Sequence, residues 1–250
     1  MGQMSVSPPD KHMVAMGGGG FSMEPDNLLL DQYILGLVNK AQPKVCFLPT
    51  AGGDSDAFGT RERECYIVKI YSAFLKFPCQ PSHLSLFNPH TLDLRGFLLE
   101  QDIIYVGGGN TKNLVALWRE WKLDHFLEEA WERGTILCGL SAGSLCWFES
   151  GVSDYPGNGV LKPLNCLGFL QGSHCPHYDG EANRRPAYHQ MVAEGVLPDG
   201  YAADDGVGLH FINGALAKIV SSRPHAKAYR VERQNRVVQE TELEPTYLGA

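Results

Sequence analysis

Over its first 150 residues the chain alternates short apolar runs with helix-spaced ones, and three of the apolar runs end in glycine. His12–Met16 leads into Gly17–Gly20, Ile103–Val106 into Gly107–Gly109, and Thr135–Cys138 into Gly139. Val45–Leu48 is a fourth run, ending at Pro49, and Leu84–Phe87 a fifth. Between them, Asp26–Val38, Arg61–Phe77, Asn113–Trp121 and Asp124–Arg133 carry amphipathic helical spacing. Strands that alternate with helices pair in parallel and need crossover connections, which predicts an α/β fold built on a mostly parallel sheet sandwiched by helices.

From Gly151 the pattern changes. A Gly- and Pro-rich loop is expected to about Leu164, then a short helix over Tyr188–Val196. Val207–Phe211 and Ala215–Val220 flank Ile212-Asn213-Gly214 and read as a hairpin, because Asn-Gly suits the tight turn. Ala228–Glu232 and Arg236–Thr241 form a second candidate hairpin around Gln234-Asn235. There is no internal repeat and no low-complexity tract. Residues 1–11 are polar and read as a disordered or tag-like segment, and 12–250 as a single α/β hydrolytic domain.

Composition removes several classes of function. With 250 residues, 44% hydrophobic and 20% charged, the chain has ample means to bury a core. Its net charge of −7, without a basic run, disfavours nucleic acid as a partner, since phosphate contacts need clustered Lys and Arg. No apolar run reaches the roughly 20 residues that cross a bilayer, and no signal-peptide core opens the chain, so a cytoplasmic location is expected. The seven cysteines form no CxxC pair and their number is odd, which predicts free thiols, not a disulfide framework or a metal site.

The chemistry concentrates in Thr135-Ile-Leu-Cys-Gly-Leu-Ser-Ala-Gly-Ser144. Ser141 stands between Gly139 and Gly143 in a Gly-x-Ser-x-Gly pattern after a β-run, with Leu145–Phe148 following. Small flanking residues allow a sharp strand-to-helix turn that lifts the hydroxyl off the sheet edge, and the Ala142 amide can face a developing oxyanion. A serine nucleophile needs a base, and Ser173-His-Cys-Pro-His-Tyr178 offers both His174 and His177. The base needs an orienting acid, for which Asp204, Asp205, Glu149 and Asp154 are all candidates. The glycine clusters match neither a dinucleotide fingerprint nor a Gly-Lys-Ser/Thr phosphate loop. They read instead as places where backbone approaches substrate at the carboxyl ends of parallel strands.

Four motifs in order carry a resemblance: Gly107-Gly-Gly-Asn-Thr111, Gly139-Leu-Ser-Ala-Gly143, Pro176-His-Tyr178 and Asp204-Asp-Gly206. Over residues 12 to 220 the chain resembles peptidase E, the aspartyl dipeptidase, and its relatives the cyanophycinases. The resemblance implies a class I glutamine amidotransferase-like, flavodoxin-like architecture with C-terminal β-hairpins, and a Ser-His-acid triad with no metal or other cofactor. Carried over by position, Ser141 is the nucleophile, His177 the general base and Asp205 the orienting acid, where peptidase E has a glutamate. Gly108, Gly109 and Ala142 supply oxyanion donors, Asn110 belongs to the substrate-binding turn, and Arg184, with Arg185 beside it, is placed to meet an acidic substrate side chain.

The function expected is therefore a serine peptidase hydrolysing small peptides, dipeptides with N-terminal Asp among them. Its rivals are a cyanophycinase-like hydrolase of β-linked or isoaspartyl peptides, and a catalytically silent ligand-binding member of the same fold. A small peptide is the only partner expected, and a homodimer is compatible with this reading.

Overall fold

The computed structural model describes residues 8–54, 66–157, 159–235 and 237–249. In chain order the elements are β1 (His12–Met16), α1 (Gly20–Met23), α2 (Leu29–Leu35), β2 (Lys44–Leu48), α3 (Tyr66–Phe74), β3 (Gln80–His83) and α4 (Leu94–Leu99). Next come β4 (Ile103–Val106), α5 (Thr111–Glu120), α6 (Leu123–Glu132), β5 (Ile136–Leu140), α7 (Ala142–Leu145), β6 (Phe148–Ser153), β7 (Lys162–Asn165) and β8 (Leu170–Cys175). The rest are α8 (Arg184–Ala193), β9 (Gly200–Ala203), β10 (Val207–Ile212), β11 (Ala215–Ser221), β12 (Ala228–Gln234), β13 (Val237–Leu243) and β14 (Thr246–Tyr247).

Among the described residues the first sheet runs β14-β11-β10-β1-β5-β4-β2-β3. Its centre, from β3 to β1, is parallel, and the predicted Asn213-Gly214 hairpin adds β10 and β11 antiparallel beyond β1. Both turn residues have positive φ, 53° and 82°, as the tight hairpin turn requires. The parallel strands β1, β2, β4 and β5 are buried on both faces, hence their continuous apolar sequence, whereas β3, Gln-Pro-Ser-His at the edge, is half-exposed. Side chains still alternate. Met13, Ala15, Ile104 and Leu137 enter one core with the tryptophans Trp118, Trp131 and Trp147. Val14, Met16, Ile103, Tyr105 and Cys138 enter the other with Phe21, Leu30, Ile70 and Phe74 from α1, α2 and α3.

A second sheet, β13-β12-β9-β8-β6-β7, covers the first core and packs its outer face on α8 through Val152, Cys175, Tyr188 and Val231. Sequence reasoning anticipated only its C-terminal hairpin. The stretch from Gly151 to Leu164 is not all loop, because β6 and β7 pair across it, and the helix expected at Tyr188–Val196 lies earlier, over Arg184–Ala193. Leu84–Phe87 is not a strand either. Asp54 Oδ2 takes the amide of Phe87 at 3.0 Å, the amide of Leu86 and the Ser85 hydroxyl, which fixes that segment as a loop following β3. The Asp26–Val38 pattern forms a helix only over Leu29–Leu35, and of Arg61–Phe77 the first five residues, with Cys65, lie outside the described ones. Asp10 and Lys11, just before β1, are tied to Asn213.

Candidate active site

Gly107, Ser141 and Gly17 follow the carboxyl ends of β4, β5 and β1, three adjacent parallel strands. Crevices at such ends are where α/β sheets bind ligands. β5 runs through Gly139 and stops at Ser141, whose backbone is bent to φ 56°, ψ −117°. This left-handed geometry is rare for a residue with a side chain and marks a strained turn. The glycines on either side permit it by close approach. A Cβ on Gly139 would overlap the Gly143 carbonyl, and one on Gly143 would overlap the Val106 carbonyl. The helix after the turn, α7, is a single turn, shorter than the sequence led one to expect because β6 starts at Phe148.

Three distant segments are stitched to three consecutive residues at the end of β1, Met16 to Gly18. The Ser141 amide donates to the Met16 carbonyl at 3.1 Å, and the His177 amide donates to the Gly17 carbonyl at 3.2 Å. Asp205 forms a parallel bridge with Gly18, and the Gly206 amide donates to the Gly18 carbonyl at 3.1 Å. His177 Nδ1 then meets Asp205 Oδ1 at 2.6 Å, with both side chains largely buried. A carboxylate can only accept, so Nδ1 carries the proton and Nε2 is left with its lone pair. Burial alone would lift the Asp205 carboxyl, but the hydrogen bond and charge of His177, with Arg223 and Arg184, outweigh it and hold the group below its ordinary value.

The competing candidates have other work. His174 is fully buried and stacked on Phe148. Its Nδ1 faces the Tyr201 carbonyl at 3.1 Å and so must donate, which makes Nε2 an acceptor for Ser144 Oγ at 3.1 Å. Burial drives its pKa down to about 3, so the ring stays neutral and supports the helix behind Ser141. Asp204 turns the other way and accepts the Lys227 amide at 2.9 Å, with burial raising its pKa to about 6. Glu149 accepts the Gly172 amide at 2.7 Å. Asp154 sits 3.9 Å from the Arg184 guanidinium.

Gly108 lies against the elbow: a methyl group added there would stand 3.3 Å from Ser141 Cβ. Gly109, at φ 137°, packs so closely on the Ala51 carbonyl that a Cβ has no room. Asn110 caps α5 by accepting the Asn113 amide at 3.0 Å, and donates to the Tyr155 carbonyl at 3.2 Å. These residues line a cavity of about 750 Å³ with Tyr66, Lys69, Asp154 and Tyr155. Arg184 is 4% exposed and holds Glu181 at 2.7 Å and the Val152 carbonyl at 3.1 Å. Arg185 pairs with Glu240 and lies over the rings of Tyr178 and Tyr229. Both arginines thus have structural partners of their own.

Sequence reasoning missed the anchors. Asp179 Oδ1 accepts the Asp205 amide at 2.8 Å, one residue beyond the Pro-His-Tyr motif that could have drawn attention to it. Burial pushes the Cys46, Cys166 and Cys175 thiols up to about 12, which makes them inert as nucleophiles. Among the described residues no cluster of His, Cys, Asp or Glu could hold a metal ion, and no helix is long and apolar enough to cross a membrane.

The model of peptidase family S51 matches residues 13–219, which include every element of this constellation. The chain belongs to peptidase family S51. An uncharacterized peptidase of Bacillus subtilis (strain 168), YgaJ, is 57% identical over 239 residues, covering 96% of this chain and all of that protein. Among solved structures, a peptidase from an acI-B1 Actinobacterium superposes with a TM-score of 0.62 at 16% identity, covering 94% of each chain. A putative peptidase E protein from Listeria monocytogenes EGD-e superposes at 0.55 and 17% identity, covering 94% of this chain and 100% of that one. The S51 chain thus shares the peptidase E-like α/β fold, consistent with the flavodoxin-like, amidotransferase-like architecture expected from its motifs. It is a peptidase by family.

Proposed function

We propose that this S51 peptidase is a serine peptidase that hydrolyses small peptides, dipeptides with N-terminal Asp foremost, through an acyl-enzyme on Ser141. One observation carries the reading: Ser141, His177 and Asp205, remote in sequence, are each held by Met16, Gly17 or Gly18, and His177 Nδ1 is bonded to Asp205. In this mechanism His177 Nε2 takes the Ser141 proton as Oγ attacks the carbonyl carbon. The carbonyl electron pair moves to oxygen, where the Ala142 and Gly109 amides are the backbone donors of this mechanism, the Gly108 amide being taken by Tyr66. The pair returns, the C–N bond breaks, and the amine leaves with the proton from His177. Water then repeats the sequence and frees the acid.

An acidic substrate side chain calls for a cation. Lys69 on α3 is, among the described residues, a cation that lines the cavity beside Gly108, Gly109 and Asn110. We assign the acidic side chain to Lys69 on that ground. The cysteines described are free, which suits a reducing compartment such as the cytoplasm.

The test is a dipeptide panel with varied N-terminal residues, run on the wild type and Ser141→Ala. Cleavage of Asp-X dipeptides by the wild type alone is the expected result. Preferential release from β-linked or isoaspartyl peptides would favour the cyanophycinase-like rival, and equal cleavage by both proteins would remove Ser141 from the mechanism.

A further inference from the structure

The Tyr66 hydroxyl, at the start of the described part of α3, already accepts two hydrogen bonds. Gly108 N donates to it at 3.1 Å and Ser22 Oγ at 2.8 Å. A phenolic oxygen that accepts twice has one capacity left, its own O–H. The ring is held among Phe47, 5.4 Å away edge-on, and Phe21 at 5.9 Å. The residue also lines the 750 Å³ cavity. A methyl group on Gly108 would stand 3.3 Å from the Tyr66 hydroxyl and 3.3 Å from Ser141 Cβ, so phenol and nucleophile flank one small volume. The Gly108 amide is itself directed at the phenol.

We propose that Tyr66 is a catalytic residue whose O–H donates to the substrate carbonyl oxygen as Ser141 attacks. The proposal rests on Ser141 being the nucleophile. As the Ser141 Oγ–C bond forms, the carbonyl π pair collects on oxygen, and the phenol stabilises that charge by donating a hydrogen bond without giving up its proton. When the pair returns and expels the amine, the hydrogen bond weakens and the phenol is unchanged. Gly108 N–H and Ser22 O–H, both donating to the phenolic oxygen, polarise it and make its proton a better donor. Burial raises the Tyr66 pKa against the smaller lowering by Ser22, Gly108 and Lys69, which keeps the proton in place at neutral pH.

An ethoxy fluorophosphonate tests this, because its phosphoryl oxygen takes the position of the developing oxyanion. In the wild type, peptide mapping should find the adduct on Ser141. Tyr66→Phe keeps the ring and removes only the hydroxyl. It should still label Ser141, with the limiting rate lowered about 100-fold, the half-saturating concentration little changed and the melting temperature close to wild type. Replacing Tyr66 with 3,5-difluorotyrosine, which preserves packing but acidifies the phenol, should move the alkaline limb of the labelling rate to lower pH. Labelling of Tyr66→Phe at the wild-type rate or faster, or an alkaline limb that stays put in the fluorinated protein, overturns the role of Tyr66 and leaves Ser141 standing. A wild-type adduct on any other residue overturns Ser141 as the nucleophile, and the proposal with it.

Discussion

His177 Nδ1 and Asp205 Oδ1 lie 2.6 Å apart across Gly18, and a Cβ on Gly18 would overlap the carboxylate and crowd the ring nitrogen. Gly18 does not have the left-handed backbone that favours glycine, so its lack of a side chain matters for space alone. Gly18→Ala should therefore fold, yet force His177 and Asp205 apart. Turnover is expected to fall by at least about 100-fold, since a base that loses its orienting partner is held in the wrong tautomer or direction. Steady-state kinetics beside a thermal melt reads this, and near-wild-type turnover would mean that the His177–Asp205 contact is dispensable.

The two adjacent carboxylates should separate cleanly. Asp205→Asn is expected to lower turnover by up to about four orders of magnitude with little loss of stability. Asp204→Asn keeps an oxygen for the Lys227 amide and should leave turnover within about threefold of wild type, as a group outside the reacting set does. Measuring both at one pH decides between them, and the opposite ranking would transfer the acid's role to Asp204.

At Ser141 catalysis and stability pull in opposite directions. Ser141→Ala and Ser141→Gly should both abolish turnover, but only glycine relaxes the φ of 56°. Left-handed strain of about 1–3 kcal/mol outweighs the entropy cost of glycine, so the Gly variant should melt above the Ala variant. Paired calorimetric melts are enough, and a Gly variant melting well below Ala would show the turn to be unstrained.

Asp31 on α2 should govern how stability varies with pH. It is fully buried, and burial outweighs the lowering by Tyr105 and the Phe21 amide to raise its pKa to about 7. The unfolded chain gives up this proton near its ordinary value of 3.8, while the folded chain keeps it to about 7. Stability from this group is therefore whole below about pH 4, falls as pH rises through the window from 4 to 7, and levels off above it. At about 1.4 kcal/mol per unit the fall is on the order of 4 kcal/mol. Asp31→Asn should flatten the slope in denaturant titrations between pH 4 and 8, and an unchanged slope would exclude Asp31 as its source.

Lys69 gives a specificity test. Lys69→Met should raise KM for Asp-X dipeptides while sparing Ala-X, because only the former loses a charge partner. Equal losses on both, measured as kcat/KM, would argue for a structural role.

How far the sequence revealed this site depends on how local each signal was. The sharp turn at Ser141 could be read directly, since β5, two close-packed glycines and the turn are contiguous. Four of the parallel strands, β1, β2, β4 and β5, were equally legible in their continuous apolar runs, but β3, Gln-Pro-Ser-His, was not. His177 and His174 were not separable from the residues around them. What removes His174 is Tyr201 and Ser144, which reach it only through the pairing of β8 with β9 and the packing of α7. β8 itself, Leu-Gln-Gly-Ser-His-Cys, hides its strand character because its buried polar side chains are satisfied by partners far away in sequence. Ser173, for instance, is met by Tyr188 and the Pro198 carbonyl. Tyr66 was invisible for the same reason: its meaning comes from Ser22 and Gly108, 44 and 42 residues away.

The stitching of residues 141, 177 and 205 to the three residues at the end of β1 also bears on when the peptidase can act. A nascent chain on the ribosome holds its serine long before Asp205 and the β10 strand that pairs with β1 have emerged. Until they do, His177 has no Asp205 to orient it and β1 lacks its antiparallel neighbour. On the proposed mechanism the enzyme is thus silent throughout its own synthesis, and a chain cut short before residue 205 would carry its serine without the acid of the proposed triad.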